Sequence, residues 1–349
     1  MPTTYAIPNG RTVFNATTYV ANHSTNVISN ADKGTLGFKP DFVWTKSRTD
    51  AYSHELYDSV RGVTKVLDSN ATVAESTDAN GLLSFDSTGF TLGYNNGSNY
   101  INGSNGVTWN WQAGQGTTSS NTSGSVTSTV SVNATAGFSI VTYPGSASNI
   151  TVGHGLGVAP SFIVIKGRDS TYNWIVYHAS LGKQGYLHLN LTTQAQYSPN
   201  VWNDTAPTST VFSVSAGALN ANEAGKNFVA YCWAEIAGFS KFGSYTGNGS
   251  TDGTFVYTGF RPKFVMIKVY STTQSWTMED TSRDPYNAAG HTLWADLGNA
   301  EADNTSAYPI DLLSNGFKLR SSAANQNSNG ANYIYAAFAE NPFKYANAR

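Results

Sequence analysis

Apolar and polar positions follow one another in short segments along this chain, and a set of those segments recurs three times in the same order. The first is an apolar run entered through a proline. It reads Gly37-Phe38-Lys39-Pro40-Asp41-Phe42-Val43-Trp44-Thr45-Lys46, then Gly157 to Lys166 around Pro160, then Gly259 to Lys268 around Pro262. The second is a short strand, His54 to Asp58, Trp174 to His178 and Trp276 to Asp280, each leading into a Ser/Gly-containing bend. The third is Phe90-Thr91-Leu92, Phe212-Ser213-Val214 and Phe317-Lys318-Leu319. Last, Gly103, Gly225 and Gly330 each precede an aromatic strand carrying Trp111, Trp233 and Phe338. Lysine to turn glycine spans 57, 59 and 62 residues, differences that loops absorb.

Lead-in strands are expected at Phe14 to Tyr19, Phe138 to Tyr143 and Phe239 to Tyr245. The pattern predicts an all-β chain of three tandem antiparallel β-sandwich-like modules, jelly-roll or lectin-like, covering 1–114, 115–236 and 237–349. Proline at a strand mouth predicts an edge or first position, since it donates no ladder hydrogen bond. Residues 117–124 read as a polar Ser/Thr linker, and the Val/Ser alternation from Ser125 to Val132 as an exposed extra strand. With almost no spacer between them, the second and third modules are expected to pack together. Helix is expected only as a turn or two at 220–224 and 287–297.

Composition narrows the function classes. The 349 residues are 40% hydrophobic and 13% aromatic, enough to bury cores, but only 12% charged. With 20 basic and 22 acidic residues the chain has no electrostatic footprint for nucleic acid or anionic lipid. Its single cysteine, Cys232, lies in an apolar run and reads as a buried hydrophobe. No signal peptide is visible, and no apolar run approaches the ~18 residues of a membrane helix.

No catalytic constellation, metal-ligand spacing or cofactor fingerprint stands out. Glu279 and Asp280 are neighbours on a strand and therefore face opposite ways, which argues against a glycosidase pair. His178 and His188 lie on adjacent strands and could meet across a hairpin. Asp68, Ser69 and Asn70 with Glu75 and Asp78 are oxygen-rich but lack a calcium-loop register. The better candidates are aromatics set among short polar side chains: Trp202-Asn203-Asp204, Tyr94 and Tyr100, and Tyr286. Stacking faces beside amide and carboxylate groups are how uncharged sites hold sugars. Trp111, Trp233 and Phe338 read instead as core.

Several strings resemble a repeat family of bacteriophage virion proteins, of the tail-fibre or minor structural type common in marine phages. They are Leu36 to Trp44, Tyr57-Asp58-Ser59-Val60-Arg61-Gly62, Val152 to Pro160, Val201 to Pro207 and Glu340 to Arg349. The resemblance implies a non-enzymatic protein of the virion surface, made in the host cytoplasm. It would be a tail fibre or receptor-binding protein contacting host-surface glycan. Its partners would be other virion proteins of the tail or capsid, and virion symmetry suggests a homotrimer. Capsid decoration is the alternative, and a polysaccharide-degrading enzyme a third reading. The repeats begin close to Met1, and neither coiled-coil heptads nor collagen-like triplets are present, which weakens the fibre reading and favours a compact decoration or spike protein.

Overall fold

A computed structural model describes residues 4–32, 35–94, 97–218 and 220–342. Its strands form three long rows with the same internal order. In the first row Phe14–Val20, Asn105–Trp111, Phe42–Ser47, Glu55–Asp58, Lys65–Asp68 and Ser76–Thr77 are hydrogen-bonded side by side. The second row repeats that order with Phe138–Pro144, Asn227–Trp233, Phe162–Gly167, Ile175–His178, Gly185–His188 and Gln196–Tyr197. The third repeats it with Ser240–Thr246, Asn332–Pro342, Phe260–Val269, Thr277–Asp280, His291–Trp294 and Ala302–Asp303. Each row is backed by a small sheet containing Gly89–Leu92, Val211–Val214 or Gly316–Leu319. All the paired strands are antiparallel, so the chain is all-β in the sandwich manner.

The alternation of strand side chains decides which layer each row meets. Val43 faces the first row's small sheet with Ile28, Leu82, Phe90 and Leu92, whereas its neighbours Phe42 and Trp44 turn the other way. Ile163 and Ile165 likewise face Phe212 and Val214, while Phe162 and Val164 turn away. The outward-turned faces meet one another in a common core. Register makes Trp111, Trp233 and Phe338 equivalent, since each pairs with the phenylalanine two residues beyond the proline, Phe42, Phe162 or Phe264. The three rings meet as a triangle, with centroid separations of 5.8 Å, 5.4 Å and 6.4 Å. Phe42, Phe162 and Phe264 surround them, leaving an apolar void of only about 20 Å³.

The seams between rows are equally regular. Glu75 N donates to Arg168 O, Ala195 N to Tyr270 O and Glu301 N to Arg48 O, so each row hands one backbone bond to the next around a closed ring. Two seams are ionic. Between the first and second rows, Arg61 binds Asp58 and reaches Glu75 at 3.1 Å, Arg168 holds Glu75 at 2.8 Å, and Tyr231 donates to Asp58 at 2.8 Å. Between the third and first, Arg283 binds Asp280 at 2.6 Å and Glu301 at 3.0 Å, Arg48 binds Glu301 at 2.6 Å, and the Trp109 indole donates to Asp280 at 3.1 Å. The remaining seam carries His178, Leu181, Ala195, Tyr270 and Ala336 at the matching positions. There the His178 ring meets Tyr335 O across the seam at 3.2 Å.

Burial works against ionisation of Glu75, yet the bonds from Arg168 and Arg61 outweigh it and hold the carboxyl below its ordinary value. Lysines close the strand ends: Lys166 Nζ donates to Thr72 O at 3.1 Å and Lys268 Nζ to Thr192 O at 2.8 Å, each reaching into the preceding row. Desolvation lowers both ammonium groups to about 8. The chain's two ends lock together as well. Arg11 and Arg261 both bind Glu340, and a Cβ on Gly10 would meet Ala339 O at 2.2 Å.

Four expectations are corrected. The proline-entered strand lies inside its row, third in order; Pro40 and Pro160 precede its paired residues, and Pro262 sits where the register shifts, so none costs a ladder bond. The supposed Ser/Thr linker contains a strand, Ser119–Asn121, paired with Ser128–Asn133, which in turn covers the edge of the second row. Residues 287–297 hold the strand His291–Trp294 rather than helix, because Leu293 pairs into the core across from Met278. Residues 220–224 hold turns and no helix; among the described residues the helical turns are Gly10–Thr12 and Ala179–Leu181, both of the tighter 3₁₀ kind.

Candidate functional site

Tyr94 and Tyr100 come together on the first row in the loop that runs from Leu92 to Asn105. His23 joins them from the end of the first strand, edge-on to Tyr94 at 4.1 Å and tilted to Tyr100 at 5.3 Å. The two tyrosine rings lie 5.4 Å apart, and Tyr52 extends the cluster at 6.2 Å from Tyr100. Tyr94 is 38% exposed. The buried Asn99 ties the cluster's loops: its carbonyl accepts from Asn22 N at 2.9 Å, and its amide donates to Ser24 O at 2.6 Å and Gly93 O at 3.0 Å. The result is a held aromatic surface of four rings.

The other candidates lie elsewhere. Tyr286 is the more open, 76% exposed, beside Asn287, whose amide bonds both ways with the backbone of Leu312. Asp204 accepts from Lys183 at 3.1 Å and Gln184 at 2.7 Å, and the carbonyl of Asn203 from Asn149 at 2.8 Å. Both Asn203 and Asp204 have positive φ, at 53° and 47°. Tyr286 lies in the loop after Thr277–Asp280, and the Asn203-Asp204 pair lies between Gln196–Tyr197 and Val211–Val214, packed on the turn at Lys183 and Gln184 that follows Ile175–His178. The Tyr94 loop enters its row at the opposite end of the strands.

Trp202 is a correction. The loop composition predicts an open stacking platform, but the residue is 1% exposed. Its indole donates to Gly185 O at 3.0 Å and meets Tyr177 edge-on, so it is part of the second row's core. His178 and His188 do not meet either: His178 pairs opposite Phe162 and His188 opposite Ile175. The acidic stretch around Asp68 is not gathered for a cation, because Glu75 serves Arg61 and Arg168. Among the described residues no cluster of His, Cys, Asp and Glu is placed to hold a metal ion.

Glu279 and Asp280 separate as their strand positions require. Asp280 turns to the seam and Arg283, while Glu279 turns inward and accepts from Gln326 at 3.0 Å and Thr292 at 3.2 Å. Burial, only partly opposed by Arg283 and Thr292, pushes the Glu279 carboxyl up to about 8. A carboxyl raised in the fold contributes stability that is full below its unfolded value and is lost as pH rises toward 8. Glu279→Gln is therefore expected to flatten the fall in stability between pH 5 and 8 by on the order of a few kcal/mol. Urea melts at both pH values check this, and equal slopes for variant and wild type would refute it.

The seam networks escaped the sequence reading because their partners lie far apart in the chain, Asp58 from Tyr231 and Trp109 from Asp280. The recurring Asp-x-x-Arg at Asp58 and Arg61, and at Asp280 and Arg283, with its replacement by His178 and Leu181, was the available signal. Among the described residues no helix is long and apolar enough to cross a membrane. No curated protein and no solved structure matches the chain. A model for a domain of unknown function, DUF7483, matches residues 10–342, nearly the whole length, and the chain belongs to that family.

Proposed function

We propose that the chain is a non-enzymatic structural protein of a bacteriophage particle, displayed at its surface as a tail-fibre or receptor-binding component. The observation that carries this reading is the held aromatic surface of His23, Tyr94 and Tyr100, whose rings suit the apolar face of a host glycan. The resemblance of the long sequence strings to virion proteins supports the particle location. The closed ring of rows supports a compact mount: one chain already has the outline of a trimer, so a single copy meets a three-fold site.

The test is immunogold electron microscopy of intact virions with antibody to the purified protein, together with competition for host cells. Label on the tail, with cell competition by the wild type reduced about tenfold or more in Tyr94→Ala/Tyr100→Ala, is expected. That ratio corresponds to the ~1–3 kcal/mol that aromatic stacking contributes in such contacts. Label over the head would overturn the tail reading in favour of capsid decoration.

A further inference from the structure

The second row keeps open a space that the other two rows fill, and we propose that this cleft binds one neutral pyranose ring. In the first row the space between strand face and covering loop is closed by Glu55, which takes Ser98 Oγ. Gly97 packs so closely there that a Cβ would meet Glu55 Oε1 at 2.0 Å. In the third row Glu279 performs the closure by accepting from Gln326. The second row has Ile175 and Tyr177 at the matching positions, with no carboxylate to draw the loop down. Its loop bonds to itself and to the neighbouring turn instead, Asn222 donating to Ser215 O at 3.1 Å and Ser148 O at 2.8 Å.

What remains is a cleft of about 370 Å³ between the strand residues Asn173, Ile175, Tyr186 and His188 and the facing Val201 and Gly217. That volume lies at the small end of ligand sites, the size for a single ring. Its wall is amphipathic. Tyr186 and His188 stand perpendicular at 5.7 Å beside the apolar Ile175, offering ring faces to C–H groups. Asn173 is oriented by Asn190, which donates to its carbonyl at 2.7 Å, and Asn220 lies on the loop side. The buried His188 ring contributes to the cleft wall, and its Nδ1 has no hydrogen-bond partner among the described residues. Burial also lowers the His188 pKa, so the ring is neutral at neutral pH. Among the described residues no Asp, Glu, Lys or Arg lines the cleft, which selects against ionic ligands. A ring with one C–H face and a rim of hydroxyls matches this chemistry.

The choice of a sugar over another neutral polar ring rests on the glycan-contact reading, but the cleft is separate from the Tyr94 surface and is tested separately. Saturation-transfer NMR on the full chain would use methyl α-mannopyranoside, methyl β-galactopyranoside and methyl β-N-acetylglucosaminide. At least one is expected to receive saturation, most strongly at its C–H face. Affinity should fall about tenfold or more in Tyr186→Ala and in Gly217→Phe. The second variant adds bulk without overlap, since a Cβ there meets nothing nearer than Asn200 at 3.7 Å. Absence of transfer from all three sugars, or wild-type binding by a folded Gly217→Phe, overturns the proposal. Sugar binding at the cleft in a protein that does not compete for host cells would sustain the cleft while removing the receptor-binding reading.

Discussion

Trp111→Ala is expected to destabilise all three rows together, by about 3–5 kcal/mol, the usual cost of deleting a large buried aromatic. Trp111 touches both other corners of the central triangle, so the cavity opens at the point where the rows share one core rather than inside one sandwich. The shift should therefore appear as a single earlier transition, seen alike by calorimetry and by far-ultraviolet circular dichroism. A separate early transition of about a third of the amplitude, leaving the rest at its wild-type midpoint, would show that the rows fold independently. Trp111→Phe provides the contrast. The Trp111 indole N–H is buried without a partner, and the third row already uses Phe338 at this position. That substitution removes an unsatisfied donor while keeping most of the ring, and its expected cost is within about 1.5 kcal/mol.

The second large effect concerns the ionic seams. Arg61→Leu leaves Asp58 and Glu75 in a desolvated setting without their shared cation, and the expected loss is about 3–5 kcal/mol. The chain itself contains an apolar solution for the same location, His178, Leu181, Ala195 and Tyr270. Transplanting it as Asp58→His, Arg61→Leu, Glu75→Ala and Arg168→Tyr removes the orphaned charges along with the arginine. Stability within about 2 kcal/mol of the wild type is expected for the fourfold variant, because replacing a whole buried ion network with packed groups is often close to neutral. Urea denaturation of the single and fourfold variants decides the matter. A fourfold variant as unstable as Arg61→Leu would mean that the two kinds of seam are not interchangeable.

Much of the fold could be read from the chain because a strand advertises itself locally. Phe42-Val43-Trp44 and Phe162-Ile163-Val164 declare their buried character in three residues, and nearly equal spacing to Gly103 and Gly225 ties the elements into a recurring order. What could not be read is which of a strand's two faces meets its own small sheet and which meets another row. Both faces are apolar, so alternation vanishes where both are buried. The candidate site fared less well for a related reason. Trp202 sits among Asn203, Asp204 and Thr205, and polar neighbours suggest a surface; but the neighbours describe the turn, while the indole points inward to Gly185 O. Tyr94 and Tyr100 lie close in sequence and their meeting was foreseeable, whereas His23 reaches them from the bend after the first strand, some seventy residues away, which no local pattern reveals.

Holding three like rows in one chain frees each row from the others' constraints. In an assembly of identical subunits every substitution appears at every corner at once, so a seam cannot exchange its charges for leucine in one place only, nor can a cleft open on one side alone. Here the two ionic seams and the apolar one coexist, and Ile175 stands where Glu55 fills the same space in the first row. The molecule thus keeps the closed geometry of a symmetric ring while presenting three chemically different sides, and whatever docks on it can recognise a single orientation.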